Sequence, residues 1–200
     1  MRELIRNYQK FDEFIRVQLF VLFIVTLSCS LVLPIVTKLQ GILWTTSMIS
    51  AYLILHKLSV FIMPYFKEVS LKNSYKTLIV LDIIYMLSMF IYFINVNVFI
   101  YVEAILVVIY GLSVNIFGIN YSMYVMKKYD SEIFKDTQYL EQIAMACAGI
   151  LGYLIVIIVG EITKDMGMSI KFFMVFILFN LVIQFFNYNK HWKYLKEGKE

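Results

Sequence analysis

Charged residues are scarce in this sequence. They make up 16% of its 200 residues, whereas soluble domains typically contain ~25%. Apolar residues reach 61%, against a usual ~45–50%. A single core in a chain of this length cannot bury so much apolar surface, so the remainder must contact lipid. This excludes a soluble enzyme, a nucleic-acid-binding domain and a disordered chain, and it makes the lipid bilayer the first expected partner.

Cysteine and histidine are also few, with two of each. Cys29 and Cys147 lie in apolar runs, and we expect both thiols to be buried packing residues without a disulfide. No Cys or His pair has metal-ligand spacing, and the GxSxG, HExxH and P-loop motifs are absent. The sequence therefore predicts no catalytic residues, no metal site and no cofactor, and the chain is not expected to be an enzyme.

The apolar residues fall into six runs. Each is at least twice as long as the ~9–11 residues of a membrane β-strand and close to the ~20 residues of a membrane helix. No linker rich in proline, glycine or serine divides them. The prediction is an all-α polytopic membrane protein, a bundle of six transmembrane helices over residues 17–188. The six spans are 17–38, 42–65, 75–95, 98–125, 139–160 and 170–188.

Lysine and arginine are distributed unevenly between the two sides of these spans. Fourteen lie at the termini and in the links after the second and fourth spans, and three lie on the opposite side. Cytoplasmic loops carry an excess of Lys and Arg, so both termini are expected in the cytoplasm. The expected location is the cytoplasmic membrane of a bacterium.

Two segments flank the spans. Residues 1–16 place apolar side chains on one side of a helix, which predicts a cytoplasmic amphipathic segment that lies on the membrane interface or runs into the first span. Residues 189–200 form a basic cytoplasmic tail, in which Trp192 and Tyr194 are expected to act as interfacial anchors.

Lys57 and Asp82 are charged residues inside the second and third spans. Both lie about a dozen residues from the middle of the hairpin that joins these spans, so they are expected at the same depth near the bilayer midplane. Three interpretations remain open: a structural ion pair, a role in transport or proton relay, and a lysine that extends to the interface without a partner.

Polar residues also recur at helical spacing in the first, second and fourth spans. These stripes either line a shared polar cavity or make close helix contacts, and the sequence leaves both possibilities open. The candidate cavity-lining residues are Gln18, Thr26, Ser30, Ser50, Asn115 and Asn120.

The fifth span carries a ladder of small residues at four-residue spacing, namely Ala144, Ala148 and Gly152. Such ladders permit close helix approach, so this one is a candidate helix-packing face or dimer seam. Glu141 is expected in the first turn of the same helix, where the helix dipole favours a carboxylate and no function is needed. Glu103 and Glu161 are expected near the outer ends of their spans.

Three segments carry a resemblance to a known family. The first hairpin reads LVLPIVTKLQGILWTTSMISAYLILHKL, the short cytoplasmic link reads FKEVSLKNSYK, and the link KKYDSEIFKDTQYLEQ precedes the small-residue helix AMACAGILGYL. This layout resembles one six-helix half of a major facilitator superfamily transporter. The resemblance implies a half-sized permease that needs a second half, either another copy or a different membrane chain, to move a small solute.

The solute itself is not identifiable from the sequence. The alternative function is a non-transporting membrane protein, such as an interaction, immunity or regulatory subunit. It predicts a dry helical bundle, whereas a transporter predicts polar stripes that face water.

Overall fold

The computed structural model describes residues 8–31, 70–163 and 166–197, together with the single positions 34, 50 and 54. Within these residues every regular element is a helix. The long helices correspond to the first, third, fourth, fifth and sixth predicted spans, and the second span lies almost entirely outside the described residues. We label them α1 (Glu13–Leu31), α2 (Leu71–Ile94), α3 (Val96–Lys128), α4 (Ser131–Thr163) and α5 (Met166–Glu197).

Four of the described helices, α1, α2, α4 and α5, are long and apolar enough to cross a membrane. The fifth, α3, is 33 residues long and coincides with the fourth predicted span. The prediction of an all-helical protein is therefore confirmed for the described part of the chain, and four of its helices have the length and composition of membrane spans. The count of six spans stays a prediction.

Asn95 both ends α2 and begins α3. Its backbone N–H donates to the Ile91 carbonyl at 2.8 Å, while its side-chain oxygen accepts from the N–H groups of Asn97 and Val98 at 3.0 and 3.2 Å. One asparagine thereby satisfies backbone groups of two helices that would otherwise lack partners. The predicted spans end at residue 95 and begin again at residue 98, and the structure has a single non-helical residue there, Asn95.

The link between α3 and α4 is shorter than predicted. Only Tyr129 and Asp130 lie between the two helices, whereas the predicted spans end at residue 125 and begin again at residue 139. The Asp130 carboxylate accepts the N–H of Ile133 at 2.9 Å and caps α4. The capped helix starts at Ser131 and runs through polar residues before it reaches the apolar run. A helix can therefore begin well before the apolar residues that span the membrane.

This early start changes the position of Glu141, which is the eleventh residue of α4. The helix dipole acts within the first turn. The expectation that Glu141 is a first-turn carboxylate is therefore wrong.

The chain divides into two compact units. Unit 1 comprises Met1–Pro34 and Val125–Asn189, and unit 2 comprises Ile35–Tyr124 and Lys190–Glu200. Unit 1 therefore holds α1, α4 and most of α5, while unit 2 holds α2 and most of α3.

Asp12 bonds the N-terminal segment to other residues of unit 1. Its carboxylate accepts the Ile15 N–H at 2.8 Å and caps α1, and it also forms an ion pair with Lys128. Its backbone N–H donates to the phenol oxygen of Tyr129 at 3.0 Å. The start of α1 is thereby tied to the link that precedes α4.

The apolar side of the same segment is buried in protein. Phe11, Phe14 and Ile15 are almost fully enclosed, whereas Tyr8 is exposed. From Phe11 onward, the segment predicted to lie on the membrane interface or to enter the first span therefore contributes to the core of unit 1.

The small-residue ladder of α4 packs against α1. Ala148 is fully buried, and a methyl group placed on Gly152 would lie 2.5 Å from Ser30 Cβ and 3.0 Å from the Leu27 carbonyl oxygen. The predicted packing face thus meets a helix of the same chain. A dimer seam on this face would require α1 to leave it, since α1 occupies the contact at Gly152.

Cys29 and Cys147 are both exposed. The expectation that they are buried is wrong, because their neighbours Ser28, Ser30 and Ala148 occupy the inward positions. Among the described residues no disulfide joins the two cysteines.

The contact at Gly152 generates a stability prediction. The change Gly152→Ala inserts a methyl group against α1, so the free energy of unfolding should fall by about 1–3 kcal/mol. Gly160→Ala is the matched control in the same helix, because nothing lies within 4 Å of the added methyl group. Thermal unfolding of both variants in one detergent measures the difference. Equal melting temperatures would show that the close approach of α1 and α4 contributes little stability.

Candidate intramembrane acidic site

Asp82 occupies the middle of α2. It is the twelfth of 24 residues and is 1% exposed. The buried positions of α2 recur every three or four residues and so define one inward face. These positions are Ser74, Tyr75, Leu78, Asp82, Tyr85, Ser88 and Met89. Lys57, the predicted partner of Asp82, lies outside the described residues, so their pairing stays a prediction.

The hairpin of α2 and α3 is antiparallel. Ring centroids of Tyr92 and Phe99 are 5.5 Å apart next to the Asn95 turn, and those of Tyr75 and Phe117 are 5.4 Å apart at the far end. Residues progressively earlier in α2 therefore meet residues progressively later in α3.

Glu103 on α3 faces this hairpin and is 2% exposed. The Tyr85 hydroxyl donates a hydrogen bond to Glu103 Oε1. Glu103 lies eight residues after Asn95, which at 1.5 Å per residue is ~12 Å from the turn. If the turn lies near the membrane surface, the carboxyl group is well inside a hydrocarbon core ~30 Å thick.

Tyr85 is the central residue of the site. Asp82 lies one helical turn before it on the same face of α2, and the Tyr85 ring lies 5.5 Å from the ring of Tyr110 on α3. The Ser88 hydroxyl donates to the Tyr85 carbonyl at 2.7 Å, which satisfies that polar side chain within its own helix. Two buried carboxyl groups therefore flank one tyrosine on the inward side of the hairpin.

Glu103 Oε2 has no hydrogen-bond partner among the described residues. A buried carboxylate is costly unless it is paired or hydrogen-bonded, and the penalty is greatest in a membrane interior. Tyr85 supplies one neutral donor to one of the two oxygens. The second oxygen is a buried acceptor that can bind a proton or a small cation.

The predicted cavity-lining residues divide between the two units. Gln18, Thr26 and Ser30 belong to unit 1, whereas Ser50, Asn115 and Asn120 belong to unit 2. A cavity shared by all six stays a prediction. Their burial varies: Gln18, Ser30 and Asn120 are buried, Thr26 and Asn115 are half-buried, and Ser50 is exposed.

One of these residues needs no external partner. The Ser30 hydroxyl donates to the Thr26 carbonyl at 2.9 Å, so it is satisfied within α1. This contact and the packing of Ser30 on Gly152 favour the helix-contact interpretation for that position.

Sequence reasoning assigned no role to Glu103, because it placed this residue near the end of a span. The feature that could have identified Glu103 is that it is a single charged residue within a long apolar helix. Sequence reasoning also passed over three buried amides of α5, Asn180, Gln184 and Asn187, although their spacing of four and three residues indicates one helix face.

The Tyr85–Glu103 hydrogen bond can be tested with a double-mutant cycle. We expect Tyr85→Phe to lower the free energy of unfolding by about 1–3 kcal/mol, since it leaves a buried carboxyl oxygen without its donor. When Tyr85→Phe is made in the Glu103→Gln variant, the free energy of unfolding should fall by a different amount. The difference between the two losses is the coupling energy of the Tyr85–Glu103 pair. Tyr153→Phe is the control, because Tyr153 is exposed. Strictly additive effects would contradict the hydrogen bond.

Comparison with protein-family models, curated proteins and solved structures finds no match to this chain. A function must therefore be inferred from the chemistry of the described residues. The most distinctive chemistry in unit 2 is a buried carboxyl site in an apolar helical hairpin.

Proposed function

We propose that this chain is a membrane transport protein in which Glu103 binds the ion that drives movement of a small solute. One observation carries the proposal: Glu103 is buried in the interior of an apolar hairpin, and its Oε2 atom has no hydrogen-bond partner among the described residues. Ionisable residues inside membranes are costly and characteristically mark ion pathways and proton relays. The ion is a proton or a small monovalent cation.

The hydrogen bond with Tyr85 suits repeated ion binding. A phenol group both donates and accepts, so Tyr85 can donate to the Glu103 carboxylate and accept from its protonated form. The same phenol group lies one helical turn from Asp82, the second buried carboxyl group of α2. Tyr85 can thus hold Glu103 in both of its states.

We also propose that one chain provides half of the transporter. The resemblance to one half of a major facilitator superfamily transporter supports this, because such halves enclose their substrate between them. The second half is another copy of this chain or a different membrane chain. In the proposed orientation both termini are cytoplasmic, as the distribution of lysine and arginine indicates.

Infrared difference spectroscopy of the full chain in lipid tests the ion-binding role without knowledge of the solute. We expect a carboxyl band that changes between mildly acidic and neutral buffer, or on addition of sodium, and that is absent in Glu103→Gln. Glu161→Gln is the control, because Glu161 is exposed at the far end of α4. Circular dichroism verifies that both variants remain helical. An unchanged band in Glu103→Gln, or no ion-dependent carboxyl band in the wild type, would overturn the role.

Native mass spectrometry in lipid nanodiscs tests the half-transporter proposal. We expect two copies of the chain in each particle, or one copy with a second multi-helix chain. A stable monomer in native-like lipid would contradict the proposal, because one half cannot enclose a pathway between two halves. That result would favour the alternative function of an interaction, immunity or regulatory subunit.

A further inference from the structure

Aromatic rings join α2 and α3 at three levels of the described hairpin, all within unit 2. In order from the Asn95 turn, the pairs are Tyr92 with Phe99, Tyr85 with Tyr110, and Tyr75 with Phe117. Their ring centroids lie 5.5, 5.5 and 5.4 Å apart. Aromatic pairs at this separation attract one another beyond the burial of their surface, so each pair helps to hold the two helices together.

The middle pair differs from the other two, because one of its rings also carries the hydroxyl group that binds Glu103. Tyr85 is 8% exposed. Its hydroxyl donates to Glu103 Oε1, and its ring is tilted by 33° from the plane of the Tyr110 ring. The phenol group of Tyr85 therefore contacts α3 at two points, once through its hydroxyl and once through its ring.

The two α3 residues that contact Tyr85 lie on one face of their helix. Glu103 and Tyr110 are seven residues apart, which is nearly two helical turns and ~10.5 Å along the axis. The contacts of Tyr85 are thus spread along α3 instead of meeting at one residue. A side chain held in this way has less freedom to turn than one held at a single point.

The orientation of the Tyr85 ring matters for the hydrogen bond. A phenol group turns about the Cα–Cβ and Cβ–Cγ bonds of its side chain, and a hydrogen bond weakens steeply as its angle departs from linearity. The Ser88 hydroxyl does not restrain these rotations, because it donates to the backbone carbonyl of Tyr85. The contact with the Tyr110 ring does restrain them, since it acts on the phenol ring itself.

We propose that Tyr110 is a positioning residue of the ion site, and this inference rests on the proposed ion-binding function of Glu103. The Tyr110 ring keeps the Tyr85 hydroxyl directed at Glu103 while the carboxyl group binds and releases its ion. The site is thereby organised in advance and needs no rearrangement of its hydrogen-bond partner between the two states. Because Tyr110 acts through Tyr85, its ring is required and its own hydroxyl group is not.

Infrared difference spectroscopy of the full chain in lipid tests this role, because a hydrogen bond to a carboxyl oxygen lowers the frequency of its stretching vibration. We expect Tyr110→Leu to move the ion-dependent Glu103 band to higher frequency, by at least half of the shift that Tyr85→Phe causes. Tyr110→Phe should leave the band at its wild-type frequency, because the ring is retained. A band shift in Tyr110→Phe as large as that in Tyr110→Leu would overturn the proposal.

Phe117→Leu is the matched control for the loss of a ring. Phe117 lies seven residues after Tyr110 on the same face of α3, and its contact with Tyr75 joins the same two helices. Its removal should lower the melting temperature without moving the Glu103 band. An equal band shift in Phe117→Leu would overturn the proposal, because it would show that general loosening of the hairpin moves the band. Circular dichroism verifies that each variant remains helical.

A second measurement does not depend on ion binding. The coupling energy of the Tyr85–Glu103 pair should fall to less than half of its wild-type value when the double-mutant cycle is repeated in Tyr110→Leu. It should stay unchanged in Tyr110→Phe and in Phe117→Leu. Full coupling in Tyr110→Leu would overturn the positioning role.

The two measurements together separate this inference from the proposed function. An ion-dependent band that is absent in Glu103→Gln, found together with full coupling in Tyr110→Leu, would leave the ion-binding role intact and overturn the positioning role. Lost coupling in Tyr110→Leu without any ion-dependent band in the wild type would support the positioning of Tyr85 by Tyr110 and overturn the ion-binding role.

Discussion

The hydrocarbon interior of a bilayer offers no hydrogen-bond partners, and this constraint governs the described structure. Each backbone polar group in the membrane must be satisfied by the chain itself, which leaves helices as the usual solution for a chain of this composition. The helix ends follow the same rule: Asn95 serves two helices, Asp130 caps α4, and Asp12 caps α1. Serine and threonine hydroxyls donate hydrogen bonds to backbone carbonyls of their own helices, as Ser28 does to Ile24.

Buried polar side chains occur in both units, and they include Asp82, Glu103 and Asn120 in unit 2. Unit 2 encloses carboxyl groups, with Glu103 held by the Tyr85 hydroxyl. Unit 1 encloses amides, contributed by Gln18 and by the inward face of α5.

The small residues of α4 permit its close packing against α1 in unit 1. Gly152 lets the backbone of α1 approach so closely that even a methyl group would meet Ser30. The Asp12 contacts with Lys128 and Tyr129 fix the other end of the same helix pair. These two sets of contacts fix the register between α1 and α4.

The sequence by itself determined the class of protein, the approximate spans of the described helices, the turn at Asn95 and the packing role of the small-residue ladder. These features follow from length, hydropathy and local spacing, which are properties of neighbouring residues. Hydropathy alone did not determine the early start of α4, because the capping carboxylate of Asp130 begins the helix before the apolar run. That start makes Glu141 the eleventh residue of α4 instead of a residue of its first turn.

Only the tertiary structure decided which face of each helix is buried. All-apolar helices show almost no difference in hydropathy between their faces, so the outward position of Cys29 and the inward position of Glu103 could not be derived from periodicity. The hydrogen bond between Tyr85 and Glu103 joins residues 18 positions apart on two helices, and the ring contact between Phe20 and Phe179 joins α1 to α5. Such relations depend on how helices pack, because lipid satisfies every apolar face equally and leaves the choice of the inward face to interhelical contacts.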